Sequence, residues 1–428
     1  MKAERIKKPR GTSDFIGEDK ALFDSIVEKL FLAADKFGCQ KIDVPIFEEQ
    51  QLFFRGVGES SDIVSKEMFK LDVKGEHNYI MRPEFTASVN RSVIENKLFA
   101  SPDLPIKLSY CGPVFRYERP QAGRLRQFHQ FGIEFFDSKI DTMTAMDSVL
   151  LLYRAAEEIL GHELYLKVNY LGGSQARENY RKALREYYRT KVDSMCEDCH
   201  RRYQINVLRM LDCKVPEDIE INKGAPAISG YLIEEDKKNF ETMLNALDAL
   251  KIEYKRDDRL VRGLDYYTGL VFEIYDPLNR KLGAIGAGGQ YGKLMEELGG
   301  PEMEGIGFSF GIERLMLALD SKQKEQLVNQ QSLDYFIVDL RAEKDALGII
   351  LADILRSAGR SVSASSYSKK INGSLKMADR LKAKTTLIFT DNNPGVVLIK
   401  NMETREQIEY PSSDVDKIVS KLMEMERE

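Results

Sequence analysis

The segment Phe115–Phe135, FRYERPQAGRLRQFHQFGIEF, restricts the fold more than any other. Arg116, Arg119, Arg124 and Arg126 fall within eleven residues, and Pro120 and Gly123 between them rule out one continuous helix. Residues 106–118 and 124–136 both alternate as strands do. In the second, Leu125, Phe131, Ile133 and Phe135 share one face, while Arg124, Arg126, Phe128, Gln130, Gly132 and Glu134 share the other. The Pro-Gln-Ala-Gly stretch turns the chain, so an antiparallel hairpin is expected. Its first strand carries Val114, Arg116 and Glu118 on one face. If the polar face lines a cleft, Arg116, Gln130 and Glu134 project together, and Gly132 leaves room for a flat ligand. Guanidinium forks match phosphate or carboxylate oxygens. The same pattern also fits a solvated sheet face held by ion pairs.

The chain has 428 residues and a net charge of −5. At about 150 residues per domain, about three domains are expected. The acidic balance excludes wholesale wrapping of nucleic acid but leaves local basic patches open. The opening MKAERIKKPRGTSDF lacks the apolar centre of an export signal. No apolar run approaches the roughly 18 residues of a membrane span. With five scattered cysteines, a reduced, cytoplasmic setting is expected.

Residues 19–37 place Leu22, Ile26, Leu30 and Ala34 at helical spacing, with Gly38 as a stop and a short β run ending near Pro45. From about 171 to 254 the texture is helical and includes a basic stretch, Arg177–Lys191. Strand-like runs return at LVFEIYD and LGAIGAGG. Beyond a polar stretch at 321–332, strands alternate with helices, as in a small α/β domain.

Three further segments carry chemistry in pattern. RLVRGLDYYTGLVFEIYD, Arg259–Asp276, sets an arginine, a glycine and two tyrosines before a strand. GAGGQYG, Gly286–Gly292, permits close backbone approach but has neither Walker nor dinucleotide-fold spacing. GIGFSFGIERL, Gly305–Leu315, reads as a glycine-rich strand feeding a helix, with Arg314 placed to cover an adenine ring and meet a phosphate. Each alone also fits an ordinary turn or a surface cation.

Taken in order, these segments resemble a class II aminoacyl-tRNA synthetase. The helix–strand–Pro45 unit resembles its motif 1, FRYERPQAGRLRQFHQ its motif 2 and GIGFSFGIERL its motif 3. RGLDYYTG, Arg262–Gly269, resembles a signature of the histidyl-tRNA synthetase family. VGESSDIVSKEMF, the RPE-x-TA run Arg82–Ala87 and NVLRMLDCK are similar too. The resemblance spans nearly the whole chain. It implies an α+β fold: a class II antiparallel sheet flanked by helices (1–170 and 255–325), a mainly helical insertion (171–254) and an α/β anticodon-binding domain (331–428). It implies an enzyme that uses ATP with Mg²⁺ to activate L-histidine and then charges tRNA(His), working as a homodimer in the cytoplasm.

The resemblance also implies roles. Arg116 and Arg262 grip the α-phosphate from two sides, and Arg262 also reaches the histidine carboxylate. Arg314 stacks on adenine near the γ-phosphate. Glu84, Thr86 and Gln130 receive the α-amino group. Glu134 and Tyr267 bond the two imidazole nitrogens, with Tyr291 lining the same pocket. Arg119 and Gln121 sit where the family reads an extra 5′ guanosine on its tRNA. Eight basic residues against one acidic, Asp379, between Arg356 and Lys384 would make tRNA affinity salt-dependent. Two departures stand out. Phe85 replaces a common glycine and either narrows the pocket or points into the core. GGQYG replaces GGRYD, so Gln290 and Gly292 stand where an arginine and an aspartate braced the pocket.

Cys196-x-x-Cys199-His200 matches a haem-attachment pattern of exported proteins, and haem is not expected. Zinc on Cys196, Cys199 and Cys213 lacks a clear fourth donor, because His200 adjoins Cys199, so no metal site is expected. His129, on the apolar side of its strand, is expected to be a core residue. The rival readings are the regulatory subunit of the histidine-biosynthetic phosphoribosyltransferase, a synthetase for another amino acid, and a tRNA-sensing module without catalysis. Arg262 and residues 333–428 weigh against the first, and RGLDYYTG against the second.

Overall fold

The computed structural model describes residues 5–58, 61, 63–75, 77–121, 123–262, 266–328, 332–341, 346–365 and 371–426. Glu59, Ser60 and Asp62 of VGESSDIVSKEMF, and Gly263–Asp265 of RGLDYYTG, lie outside them. The chain divides into two compact units, Met1–Leu327 and Val328–Glu428.

The strands of the first unit are β1 (Gln40–Lys41), β2 (Phe47–Glu49), β3 (Tyr79–Met81), β4 (Ile106–Phe115), β5 (Gln127–Asp137), β6 (Tyr165–Tyr170), β7 (Glu253–Arg256), β8 (Tyr267–Tyr275), β9 (Ala284–Tyr291) and β10 (Glu304–Gly311). β2 and β3 form a small ribbon. The other eight make one sheet in the order β1-β4-β5-β10-β9-β8-β6-β7. From β4 to β6 every neighbouring pair is antiparallel; only the end strands, β1 on β4 and β7 on β6, run parallel. The large sheet is therefore mixed, with an antiparallel centre.

The expected hairpin is β4–β5, registered from Ile106 opposite Phe136 to Phe115 opposite Gln127. It is shorter at its tip than alternation predicts. The Arg116 amide still bonds Arg126 O at 2.9 Å, but the Glu118 amide turns back to Arg116 O at 2.8 Å, and strand geometry ends there. Pro120 then has no amide hydrogen to continue the ladder. Phe131, Ile133 and Phe135 are fully buried. The helix Glu18–Asp35 covers that face, with Phe31 edge-on to Phe131 at 5.2 Å. Leu22, Ile26, Leu30 and Ala34 are its buried stripe, and Gly38 follows at φ 76°.

Between β6 and β7 the chain leaves the sheet to form the helices Ser174–Tyr188, Glu197–Ile205, Pro216–Asn222 and Glu234–Ala249, then returns beside its point of departure. The second unit holds β11 (Leu333–Asp339), β12 (Val362–Ser365), β13 (Ala383–Phe389), β14 (Val396–Asn401) and β15 (Gln407–Pro411). Their order is β12-β11-β13-β14-β15, with β11 parallel to both its neighbours. Along β11, Tyr335 and Ile337 enter one apolar cluster and Phe336 and Val338 another, the pattern of a strand buried on both faces.

Candidate active site

The polar face of β5 meets β10, where Gly132, Gly305 and Gly307 leave a trough. A Cβ on Gly307 would collide with Glu134 Oε2, one on Gly305 with the Tyr291 ring, and one on Gly132 with the Tyr110 hydroxyl. The space above Gly132 is therefore taken by the protein's own phenol, not left for a flat ligand. Gly307→Ala is expected to cost about 1–3 kcal/mol by overpacking. It should also displace the Glu134 carboxylate; the denaturant midpoint checks the first and the variant's crystal structure the second.

Glu134 is 1% exposed. Its Oε1 accepts from Thr86 Oγ1 at 2.7 Å and the Tyr110 hydroxyl at 3.2 Å, and its Oε2 from the Tyr291 hydroxyl at 2.7 Å. Burial pushes its carboxyl up to about 8, with the Thr86 and Tyr291 hydroxyls pulling the other way. Glu84 caps the helix Thr86–Glu95, accepting from the Thr86 amide at 2.7 Å and the Ala87 amide at 2.9 Å. Burial pushes its carboxyl above the usual carboxylate range too, against those amides and the nearby Arg116.

Two cavities adjoin along this face. The smaller, about 120 Å³, is lined by Glu84, Thr86, Gln130, Glu134, Tyr267 and Tyr291, together with Tyr110, Tyr266, Arg116 and Arg262. The larger, about 340 Å³, holds Arg314, Arg124, Glu118, Glu273 and the glycine-rich backbone of β9. Arg116, Gln130, Arg262, Ala287 and Ser309 line both, forming a common wall.

Two of the three cations that line these cavities, Arg116 and Arg314, are held by neutral groups. Arg116 donates from Nε to Pro83 O at 2.9 Å and lies over Phe128. Arg314 donates to Ala284 O at 2.7 Å and Gly123 O at 3.4 Å. Among the described residues neither pairs with a carboxylate. Arg262 is fixed by Glu273 at 2.7 Å, while its Nε is buried with no partner among the described residues. Uncompensated guanidiniums around a pocket of this size call for an anionic ligand.

Thus Arg116, Arg262, Arg314, Glu84, Thr86, Gln130, Glu134, Tyr267 and Tyr291 converge on two touching cavities. Arg119 and Gln121 do not. Both are exposed, on a tight turn where Gln121 and Arg124 exchange backbone hydrogen bonds, and they line neither cavity. Phe85 points into the core, stacked on Tyr110 at 4.3 Å beneath the Arg82 guanidinium, and is absent from the pocket lining. Gln290 turns away to Glu304 at 3.0 Å, and Tyr291 is braced instead by Glu134 and Asn90. His129 is a satisfied histidine, 2.9 Å from Glu313 and edge-on to Phe23.

Tyr110 and Tyr266 were missed as site residues. Tyr110 sits opposite Gly132 in the hairpin register, a signal that alternation could have yielded. The buried Tyr266 hydroxyl has no hydrogen-bond partner among the described residues.

A sequence profile described as "Histidyl-tRNA synthetase" matches residues 11–315. The chain belongs to the histidyl-tRNA synthetase family. Similar members include the histidine–tRNA ligase of Thermosipho melanesiensis, 42% identical over 405 residues, which are 94% of this chain and 96% of that one. The Bacillus subtilis ligase is 41% identical over 407 residues, 94% and 95% of the two chains. The crystal structure of apo Staphylococcus aureus histidyl-tRNA synthetase matches with a TM-score of 0.78 at 32% identity, covering 98% of this chain and 100% of that one. A Bacillus halodurans chain described as an ATP phosphoribosyltransferase regulatory subunit/histidyl-tRNA synthetase matches with a TM-score of 0.65 at 20% identity, covering 91% and 99%. That is a likeness of fold alone. No described helix is long and apolar enough to cross a membrane.

Proposed function

We propose that the chain is a cytoplasmic histidine–tRNA ligase, acting as a homodimer on L-histidine, ATP and tRNA(His). The observation that carries this reading is the wall common to both cavities, where Arg116 and Arg262 face one ligand space.

A histidine carboxylate oxygen attacks the α-phosphorus of ATP. The new P–O bond forms as the bond to the β-phosphate oxygen breaks, and pyrophosphate leaves with the electron pair. Histidine lies in the smaller cavity and ATP in the larger, so the reacting atoms meet at the wall. Arg116 and Arg262 stabilise charge on the α-phosphoryl oxygens, and Arg314 holds adenine and the γ-phosphate. This is catalysis by positioning and fixed charge. Mg²⁺ carried in with the nucleotide would supply charge neutralisation at its phosphates. Glu118, Glu273 and Glu313 are already engaged with Arg124, Arg262 and His129, so the protein's own contribution to the phosphates is mainly guanidinium.

Glu134 and Tyr267 take the imidazole nitrogens, and Glu84, Thr86 and Gln130 the α-amino group. A buried acid and phenol left unpaired by a non-histidine side chain are costly, and such sites reject analogues by about 10⁴–10⁵. In the second step a hydroxyl of the terminal adenosine attacks the activated carbonyl, and AMP departs. We assign residues 171–254 as an insertion and the second unit to the anticodon, with Arg119 and Gln121 offered to the acceptor end.

Histidine-dependent ATP–pyrophosphate exchange tests the reading. Exchange is expected with histidine and not with other amino acids. A folded protein that binds histidine yet exchanges nothing would belong with the regulatory subunits.

A further inference from the structure

Away from the two cavities, a second set of reactive side chains comes together. Cys196, Cys199, Cys213 and Asp218 each offer one ligand atom, and these four atoms lie within 4.8 Å of one another. Cys196 is the N-cap of the helix Glu197–Ile205, and Cys199 stands in its first turn. Cys213 ends the 3₁₀ turn Val207–Asp212, and Asp218 lies in the first turn of the helix Pro216–Asn222. Folding thus gathers donors from three short elements.

Asp218 is 1% exposed. It accepts from the Cys196 amide at 3.2 and 3.3 Å and lies 3.1 Å from Cys213 Sγ. Among the described residues no lysine, arginine or histidine pairs with it. A buried carboxylate facing three sulfurs without a cation is expensive. Cys196 and Cys213 place their sulfurs 3.7 Å apart. Two sulfurs on a tetrahedral zinc, with bonds of about 2.3 Å, are separated by about 3.8 Å. The Cys213–Asp218 approach is a little closer than that geometry gives, the spacing of a thiol hydrogen bond that a metal would replace. His200, the neighbour that obscured the donor set in the sequence, is exposed and outside the cluster.

We propose that Cys196, Cys199, Cys213 and Asp218 bind one Zn²⁺ as a closed structural site. Three thiolates and a carboxylate suit zinc rather than magnesium or calcium, and four protein donors leave no position for substrate. The three thiols release their protons to solvent as the sulfurs bind. The ion ties the start of the Glu197–Ile205 helix to the 213–218 segment. The site is independent of the histidine and ATP chemistry.

The test uses the full chain, purified without chelator. Elemental analysis should find about one zinc per chain. Cobalt exchanged into the wild type should give intense thiolate-to-metal absorption in the near ultraviolet and the visible bands of a tetrahedral ion. Cys213→Ser should lose both signals, while Cys39→Ser keeps them. Because the cobalt spectrum is read on the wild type, misfolding of a variant leaves the test intact. Wild-type protein with its thiols titrated as reduced, supplied with zinc and cobalt, that retains neither ion would overturn the proposal. So would a disulfide among the three cysteines in freshly isolated protein, or equal zinc in wild type and Cys213→Ser.

Discussion

Arg116→Ala is expected to slow histidyl-adenylate formation by about 10²–10³-fold, the usual loss when one preorganised charge donor is removed from a reacting centre. Arg116 meets no carboxylate among the described residues and lines both cavities, so its charge is free to act on the phosphoryl group as negative charge gathers there. Arg116→Lys keeps the charge but loses the planar fork and should recover only part of the rate. Arg262→Ala should cost a similar factor while also leaving Glu273 without its cation but still held by the Tyr275 hydroxyl. The double variant should fall short of the product of the two losses, because both groups act on one transition state. Single-turnover measurement of adenylate formation separates this from ATP binding. A rate within threefold of wild type in Arg116→Ala would refute the assignment.

The second large effect concerns Glu134. Glu134→Gln should raise the KM for histidine by about 10–100-fold, the value of a hydrogen bond to a charged group, with a smaller change in kcat. It should also change stability in a pH-dependent way. The carboxyl is pushed up to about 8 by burial, above its ordinary value near 4.3. The folded protein therefore holds this proton more tightly than the unfolded chain. The group imposes no penalty below the unfolded value, and a destabilisation grows as pH rises from there to about 8. Ligand-free wild type should lose stability across that window relative to Glu134→Gln, by a few kcal/mol. Parallel denaturation curves for the two proteins at pH 5 and pH 8.5 would contradict this.

The hairpin was legible because apolar alternation, a proline and a glycine all agreed on it. Its end was not, since the turn-back of Glu118 onto Arg116 depends on a hydrogen bond that alternation does not encode. The sheet order was out of reach of periodicity altogether. β5 pairs with β10, more than 160 residues away, and only the family resemblance joined Arg116 to Arg262. Glu134 could be named from that resemblance, but the glycines that make room for it act through the register of β5 on β10. Asp218 escaped notice for a similar reason. It follows Cys213 by five residues, a spacing with no meaning until the chain bends it back toward Cys196.

The wall shared by the two cavities has a thermodynamic corollary. Amino acid and nucleotide, arriving separately, each surrender their rigid-body freedom. A molecule that carries both halves joined across Arg116 and Arg262 surrenders it once, since the second half is tethered at high effective concentration as soon as the first is seated. The mixed anhydride made by the first step is such a molecule. On the proposed assignment of the two cavities, the fold would grip its own intermediate harder than either precursor, and keep that labile compound docked while it waits for the nucleic acid to come and collect it.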